Sequence, residues 1–245
     1  MDTLYLNEIR LDKPVPADNY LADLPVVRHL RKTSLHLAAP VTFFIGENGV
    51  GKSTLIEAVA VGMGFNAEGG TRNFTFSTVQ THSDLHEYLT LVKGPYRPRD
   101  GFFLRAESFY NVASNVDELD QIAPLLESYG GKSLHEQSHG ESFLALVRNR
   151  FGGKGIYILD EPEAALSPAS QLELLAHIHR LAEDGSQLLI ATHSPLLMTY
   201  PGAGLFEIGA DGIRQTDYRH TAHYQLTREI LENPDRVYRN LLDKG

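Results

Sequence analysis

Gly46-Glu47-Asn48-Gly49-Val50-Gly51-Lys52-Ser53-Thr54 is the stretch on which the fold of this chain turns. Before it runs Val41-Thr42-Phe43-Phe44-Ile45, whose apolar, β-branched and aromatic side chains predict a buried strand. After it runs Thr54-Leu55-Ile56-Glu57-Ala58-Val59-Ala60, which predicts a helix. Strand, glycine-rich loop and helix together form a phosphate seat. The glycines let backbone N–H groups turn toward phosphate oxygens, and the helix points the positive end of its dipole at them. Lys52 adds a mobile charge for the outer phosphates, and Ser53 offers a hydroxyl to Mg²⁺. The expectation is a nucleoside triphosphate bound by Glu47, Asn48, Gly49, Val50, Gly51, Lys52, Ser53 and Thr54.

A second motif points the same way. Gly155-Ile156-Tyr157-Ile158-Leu159-Asp160-Glu161-Pro162 predicts another short apolar strand, ending in two adjacent carboxylates. In nucleotide hydrolases the first carboxylate at such a strand end holds Mg²⁺, usually through water, and an acidic neighbour orients and deprotonates the attacking water. Asp160 and Glu161 are the residues expected in those roles.

At 245 residues the chain is expected to be one α/β domain. Its 42% hydrophobic and 22% charged residues are ordinary for a soluble globular protein. There is no apolar run of about 18 residues to span a bilayer, and Met1-Asp2-Thr3-Leu4-Tyr5 lacks a secretory pattern. The reading is cytoplasmic. The absence of cysteine excludes disulfides, thiolate zinc sites and cysteine nucleophiles. A net charge of -9 does not indicate a dedicated nucleic-acid binder. Two basic clusters stand out nonetheless: Lys93, Arg97, Arg99 and Arg105, and Arg28, Arg31 and Lys32. Each reads as solvated surface or as a contact to phosphate or a partner.

Along the chain, the opening segment to about Pro40 predicts short strands and loops, with Asp23-Leu24-Pro25 breaking any helix. Residues 70–80 predict extended chain, Ser83 to Val92 a short helix, and Gly101 to Glu107 a strand. Leu119 to Tyr129 and Ser138 to Arg150 predict helices. A helix from Ser167 to Gly185, a strand over Gln187–Thr192, a hairpin around Asp211-Gly212 and a closing helical pair complete the pattern. Strands alternating with helices imply a mostly parallel sheet covered on both faces.

Three further stretches carry a family resemblance. Gln137-Ser138-His139-Gly140-Glu141-Ser142 lies about 20 residues before Asp160. Glu163-Ala164-Ala165-Leu166-Ser167 follows the carboxylate pair, and Ala191-Thr192-His193-Ser194 ends the next strand. In this order, over roughly residues 40 to 200, the set resembles the ATP-binding-cassette (ABC) ATPase family. The resemblance implies a P-loop NTPase domain over residues 1–245, with an antiparallel N-terminal β part and a helical signature insertion at roughly 80–150. It implies that Lys52 and the loop amides hold ATP, that Ser53 and Asp160 serve Mg²⁺, that Glu161 is the general base and that His193 contacts the γ-phosphate. It also implies that Ser138 and Gly140 complete the site of a second copy, so that a homodimer sandwiches two ATP molecules.

The departures are specific. His139 stands for the usual first signature glycine, Glu141 for a common glutamine and Ser167 for a frequent Asp. Glu107 is the positional match to the family's Mg²⁺-sensing glutamine, and Tyr20 or Arg28 are the candidates for an adenine contact. The Asn48-Gly49 loop and the Ser-His-Gly-Glu signature look closer to chromosome-maintenance and repair ATPases than to importers, without their coiled-coil arm. Three roles follow: a soluble ATP-driven dimerising switch, the nucleotide-binding subunit of a membrane transporter, or a nucleic-acid maintenance or defence module.

Overall fold

The computed structural model describes residues 4–71, 83–106 and 139–242. The chain begins with β1 (Leu6–Leu11), α1 (Pro25–Leu30) and β2 (Leu35–His36). Next, β3 (Val41–Ile45) feeds the phosphate loop and α2 (Lys52–Gly62). Strands β4 (Leu89–Lys93) and β5 (Asp100–Arg105) follow, and α3 (His139–Arg150) leads into β6 (Gly155–Asp160). Then come α4 (Pro168–Glu183), β7 (Gln187–Ala191), β8 (Gly204–Gly209), β9 (Gly212–Gln215), α5 (Ala222–Glu232) and α6 (Pro234–Leu242).

Six strands form the central sheet in the order β5-β6-β7-β3-β8-β9, parallel except for the β8–β9 hairpin. β3, β6 and β7 are buried along their whole length, as strands covered on both faces must be. Alternation sorts their side chains. Phe44, Ile156 and Ile158 join the cluster beneath α2, whereas Phe43, Ile45, Tyr157 and Leu159 join Phe143, Leu146 and Leu174 of α3 and α4. Each large apolar side chain so covered contributes about 1.5–3 kcal/mol. This is the α/β P-loop architecture that the sequence implies.

A smaller antiparallel sheet, β2-β1-β4, carries the N-terminal strands. One side chain fastens it to the central sheet. Gln187, 1% exposed, accepts N–H bonds from Tyr5 (2.9 Å) and Leu6 (2.8 Å) and donates to the Leu6 carbonyl (2.8 Å). The buried peptide groups at the start of β1, the N–H and carbonyl of Leu6 and the N–H of Tyr5 just before it, are thereby satisfied.

Two expectations are corrected. Pro25 does not break a helix but begins one: α1 starts on it, because the first helical turn has no use for the N–H that proline lacks. Ser83–Val92 is not a helix. Ser83 caps a single 3₁₀ turn, Asp84–Glu87, and the chain then pairs as β4 with β1. The apolar spacing at Leu85, Tyr88, Leu89 and Val92 suits a helix, but strand pairing overrides it. Strands β4 and β5 fall within residues 80–150, so the helical parts of that range in the described residues are the 3₁₀ turn and α3. Most of the expected extended chain at 70–80, the helix at 119–129, Glu107 and Ser138 lie outside the described residues. Among the described residues, no helix is long and apolar enough to cross a membrane.

Candidate functional site

The carboxyl ends of β3, β6 and β7 lie side by side, and each delivers part of one site. From β3 comes the phosphate loop. Its last glycine, Gly51, has φ +97° and caps α2, so Lys52 opens the helix. Lys52 is 4% exposed, and its Nζ donates to the Glu47 carbonyl at 2.9 Å across the loop. Burial lowers the Lys52 pKa, opposed by the charges of Glu161, Asp160, Glu163 and Glu47.

From β6 comes Asp160, which accepts a hydrogen bond from Ser53 Oγ at 3.0 Å. The pairing joins residues far apart in sequence, and it is the contact expected of two groups serving one cation. A hydroxyl and a carboxylate are hard oxygen donors suited to Mg²⁺, and the edge of an octahedron with 2.0–2.1 Å bonds is about 2.9 Å. The residues present therefore fit Mg²⁺. No cluster of three or more acidic, histidine or cysteine ligands exists among the described residues.

Glu161 follows in the left-handed region (φ +50°, ψ +51°), an uncommon conformation for a non-glycine residue. The turn brings its Oε1 to 3.1 Å from His193 Nε2, at the exit of β7. The base and switch residues expected from sequence are thus paired in space. The His193 backbone N–H in turn donates to Glu163 Oε1 at 2.5 Å. A second histidine, His223 of α5, lies with its ring 5.6 Å from that of His193 and its Nε2 4.0 Å from Glu47 Oε1.

Gly140, in the first turn of α3, packs against the connecting turn after Glu161. A Cβ there would lie 2.9 Å from the Ala165 carbonyl, so glycine is required by close approach. Its near neighbours are Ala165 and Leu166, not the phosphate loop of the same copy. Val50 is half-buried, and Tyr20 is 63% exposed.

Arg105, grouped by sequence with exposed cations, instead pairs with buried Glu57 of α2 (2.6 Å) and lies 3.6 Å from Asp160 Oδ2. Sequence reasoning also gave no role to Glu163 or His223. Glu163 was visible as a third carboxylate in Asp-Glu-Pro-Glu, but nothing local says which way it turns. A cleft of about 380 Å³ opens between Gly46-Glu47 and the β8–β9 hairpin, lined also by His223. Its Glu47, Glu207 and Asp211 outnumber Arg214 and His223, so this cleft is a poor seat for an anion.

Two family models match this chain. One, described as "AAA domain, putative AbiEii toxin, Type IV TA system", covers residues 82–199, and another, described as "AAA domain", covers residues 27–101. The chain is 32% identical over 170 residues to the thiamine import ATP-binding protein ThiQ of Cereibacter sphaeroides, a match over 62% of this chain and 69% of that protein. The ThiQ of Haemophilus influenzae is 31% identical over 62% of this chain and 74% of its own length. The chain belongs to the ABC ATPase family. As an ABC ATPase it binds and hydrolyses ATP. The ribose import ATP-binding protein RbsA of Jannaschia sp. is 29% identical, but the match covers only 39% of that protein. The solved CbiO1 of Clostridium perfringens, part of the ABC transporter complex cbiONQ, superposes with a TM-score of 0.53 at 16% identity. That match covers 94% of this chain and 96% of CbiO1, a likeness of fold.

Proposed function

We propose that this ABC ATPase is a Mg²⁺-dependent, ATP-driven dimerisation switch, a single domain whose two copies share two ATP molecules. One observation carries the reading: Ser53 of the phosphate loop and Asp160 of β6 meet at 3.0 Å, with the Glu161–His193 pair beside them. Lys52 and the loop amides hold the β- and γ-phosphates of ATP. Ser53 and Asp160 hold Mg²⁺, which when bound neutralises charge on the phosphate oxygens. Glu161 orients a water in line with the β–γ bond and takes its proton as the water oxygen joins the γ-phosphorus. His193 steadies Glu161 and contacts the γ-phosphate. Ser138 and Gly140 of the second copy would close the site, and Glu107 would join Ser53 and Asp160 in serving Mg²⁺. Hydrolysis to ADP and phosphate removes the bridge between copies and releases them. A cytoplasmic location fits this ATP-driven role.

The test is Glu161→Gln, which keeps the side-chain shape and removes the base. We expect ATP hydrolysis to fall by about 10²- to 10⁴-fold, with ATP–Mg²⁺ now trapping a stable dimer by sedimentation. A variant that binds ATP yet stays monomeric refutes the sandwich. A second reading, the nucleotide-binding subunit of a membrane importer, is favoured by the likeness to the two ThiQ proteins. It requires ATP hydrolysis that rises only with a membrane partner present.

A further inference from the structure

The switch histidine is not held by the sheet. β7 ends at Ala191, and the next three residues are fastened one by one to other elements. The Thr192 N–H donates to the Phe44 carbonyl at 3.0 Å, and Ser194 Oγ donates to Gln171 Oε1 of α4 at 2.5 Å. Between them, the His193 N–H donates to the Glu163 carboxylate at 2.5 Å. That bond is charge-assisted, short and partly buried. It comes from the same turn as Glu161, whose own N–H donates to the Ala191 carbonyl at 3.0 Å. The turn after the carboxylates and the segment bearing His193 are therefore bonded to each other in both directions.

We propose that Glu163 is a positioning residue for His193, fixing the backbone from which the imidazole reaches Glu161 and the γ-phosphate; the proposal rests on the hydrolytic reading above. The imidazole place is set by the His193 backbone and two side-chain torsions, so an anchor on the backbone N–H sets where Nε2 lies. Glu163 is not itself the base. One of its oxygens is engaged by that N–H, and it is Glu161 that faces the imidazole. Nor is it explained as an ordinary structural carboxylate. Its second oxygen, Oε2, is buried without a hydrogen-bond partner. A buried carboxylate oxygen without a hydrogen-bond partner costs stability, so the hydrogen bond to the His193 N–H is not there for stability alone.

The test uses the full chain with Glu163→Ala, Glu163→Gln, His193→Ala and the double variant Glu163→Ala/His193→Ala. We expect Glu163→Ala to lower kcat about 10- to 100-fold, the scale of a misplacement near 1 Å. Affinity for a fluorescent ATP analogue stays within about twofold, since the hydrogen bonds of Lys52 to the Glu47 carbonyl and of Ser53 to Asp160 are kept. Glu163→Gln, whose amide oxygen still accepts from the His193 N–H, recovers most of the rate. The double variant is no slower than His193→Ala alone, because an anchor has no effect once its imidazole is gone. Should the alanine variant fail to fold, Glu163→Met, similar in volume and without an acceptor, carries the same expectation. A kcat for Glu163→Ala within twofold of wild type overturns the proposal, as does a loss that adds in full to that of His193→Ala. Those results, with His193→Ala slow and wild type active, leave the hydrolytic reading standing. A wild type that binds but never hydrolyses ATP sinks both.

Discussion

Gly51→Ala is the sharpest test of how the phosphate loop is supported. Gly51 sits at φ +97°, where an alanine costs about 1–2 kcal/mol. The added Cβ would also lie 2.6 Å from Val26 Cγ1 of α1, with Val26 Cβ and Leu24 Cδ1 at 3.5 and 3.6 Å. Val26 is fully buried, so it cannot swing aside, and overpacking of this kind costs about 1–3 kcal/mol. The two terms together give about 2–5 kcal/mol. For a domain of this size that lowers Tm by roughly 5–20 °C. Thermal and urea unfolding followed by circular dichroism measure it, alongside titration with a fluorescent ATP analogue. Adding Val26→Ala should return part of the loss, because it empties the space the new methyl occupies. A Gly51→Ala protein within about 0.5 kcal/mol of wild type, or a double variant whose losses simply add, would show that α1 does not buttress the loop.

Two further outcomes follow from the charged groups. Burial outweighs the surrounding carboxylates in lowering the Lys52 pKa, so the folded state disfavours its charge. Lys52→Met is therefore expected to abolish ATP binding while leaving Tm unchanged or higher; a lower Tm counts against this balance. Asp100 is pushed upward by burial, but the Gly152 N–H, the Tyr157 hydroxyl and Arg150 overcome this and hold its pKa below 3.8. A carboxyl held low contributes stability that is present above the unfolded pKa and is lost as pH falls through the folded value. Wild type should lose stability faster than Asp100→Asn as pH drops below 3.8, measured by urea midpoints along a pH series. Parallel curves refute the assignment.

Much of this architecture was legible in the residues. Val41–Ile45 and Gly155–Asp160 are short apolar runs bounded by glycine, acid and proline, and their burial on both faces is written in their composition. The phosphate loop, Asp160, Glu161 and His193 were legible because each occupies a strand end, where backbone direction alone fixes neighbourhood. α1 was not legible, since Pro25 carries the same letter whether it ends a segment or begins a helix. β4 was not legible because only β1, early in the chain, decides between helix and strand. Arg105 looked like its exposed neighbours Arg97 and Arg99, and only the strand register that places it opposite Asp160 distinguishes it. Glu163 and His223 acquire meaning through contacts across the sheet, and no local pattern encodes those.

The placing of β3 also bears on how the protein is made. Its neighbours are β7 and β8, which begin at Gln187 and Gly204. As the chain leaves the ribosome, Val41-Thr42-Phe43-Phe44-Ile45 emerges well before β7 and β8 and stays open on both edges until they follow. The nascent phosphate loop has no carboxylate partner for the same interval. A chain cut short before β7 would present an unpaired, uncharged apolar strand, the kind of segment that seeds aggregation. Nucleotide can therefore act as a ligand-assisted folding aid only late, once the last parallel strand has closed over the first.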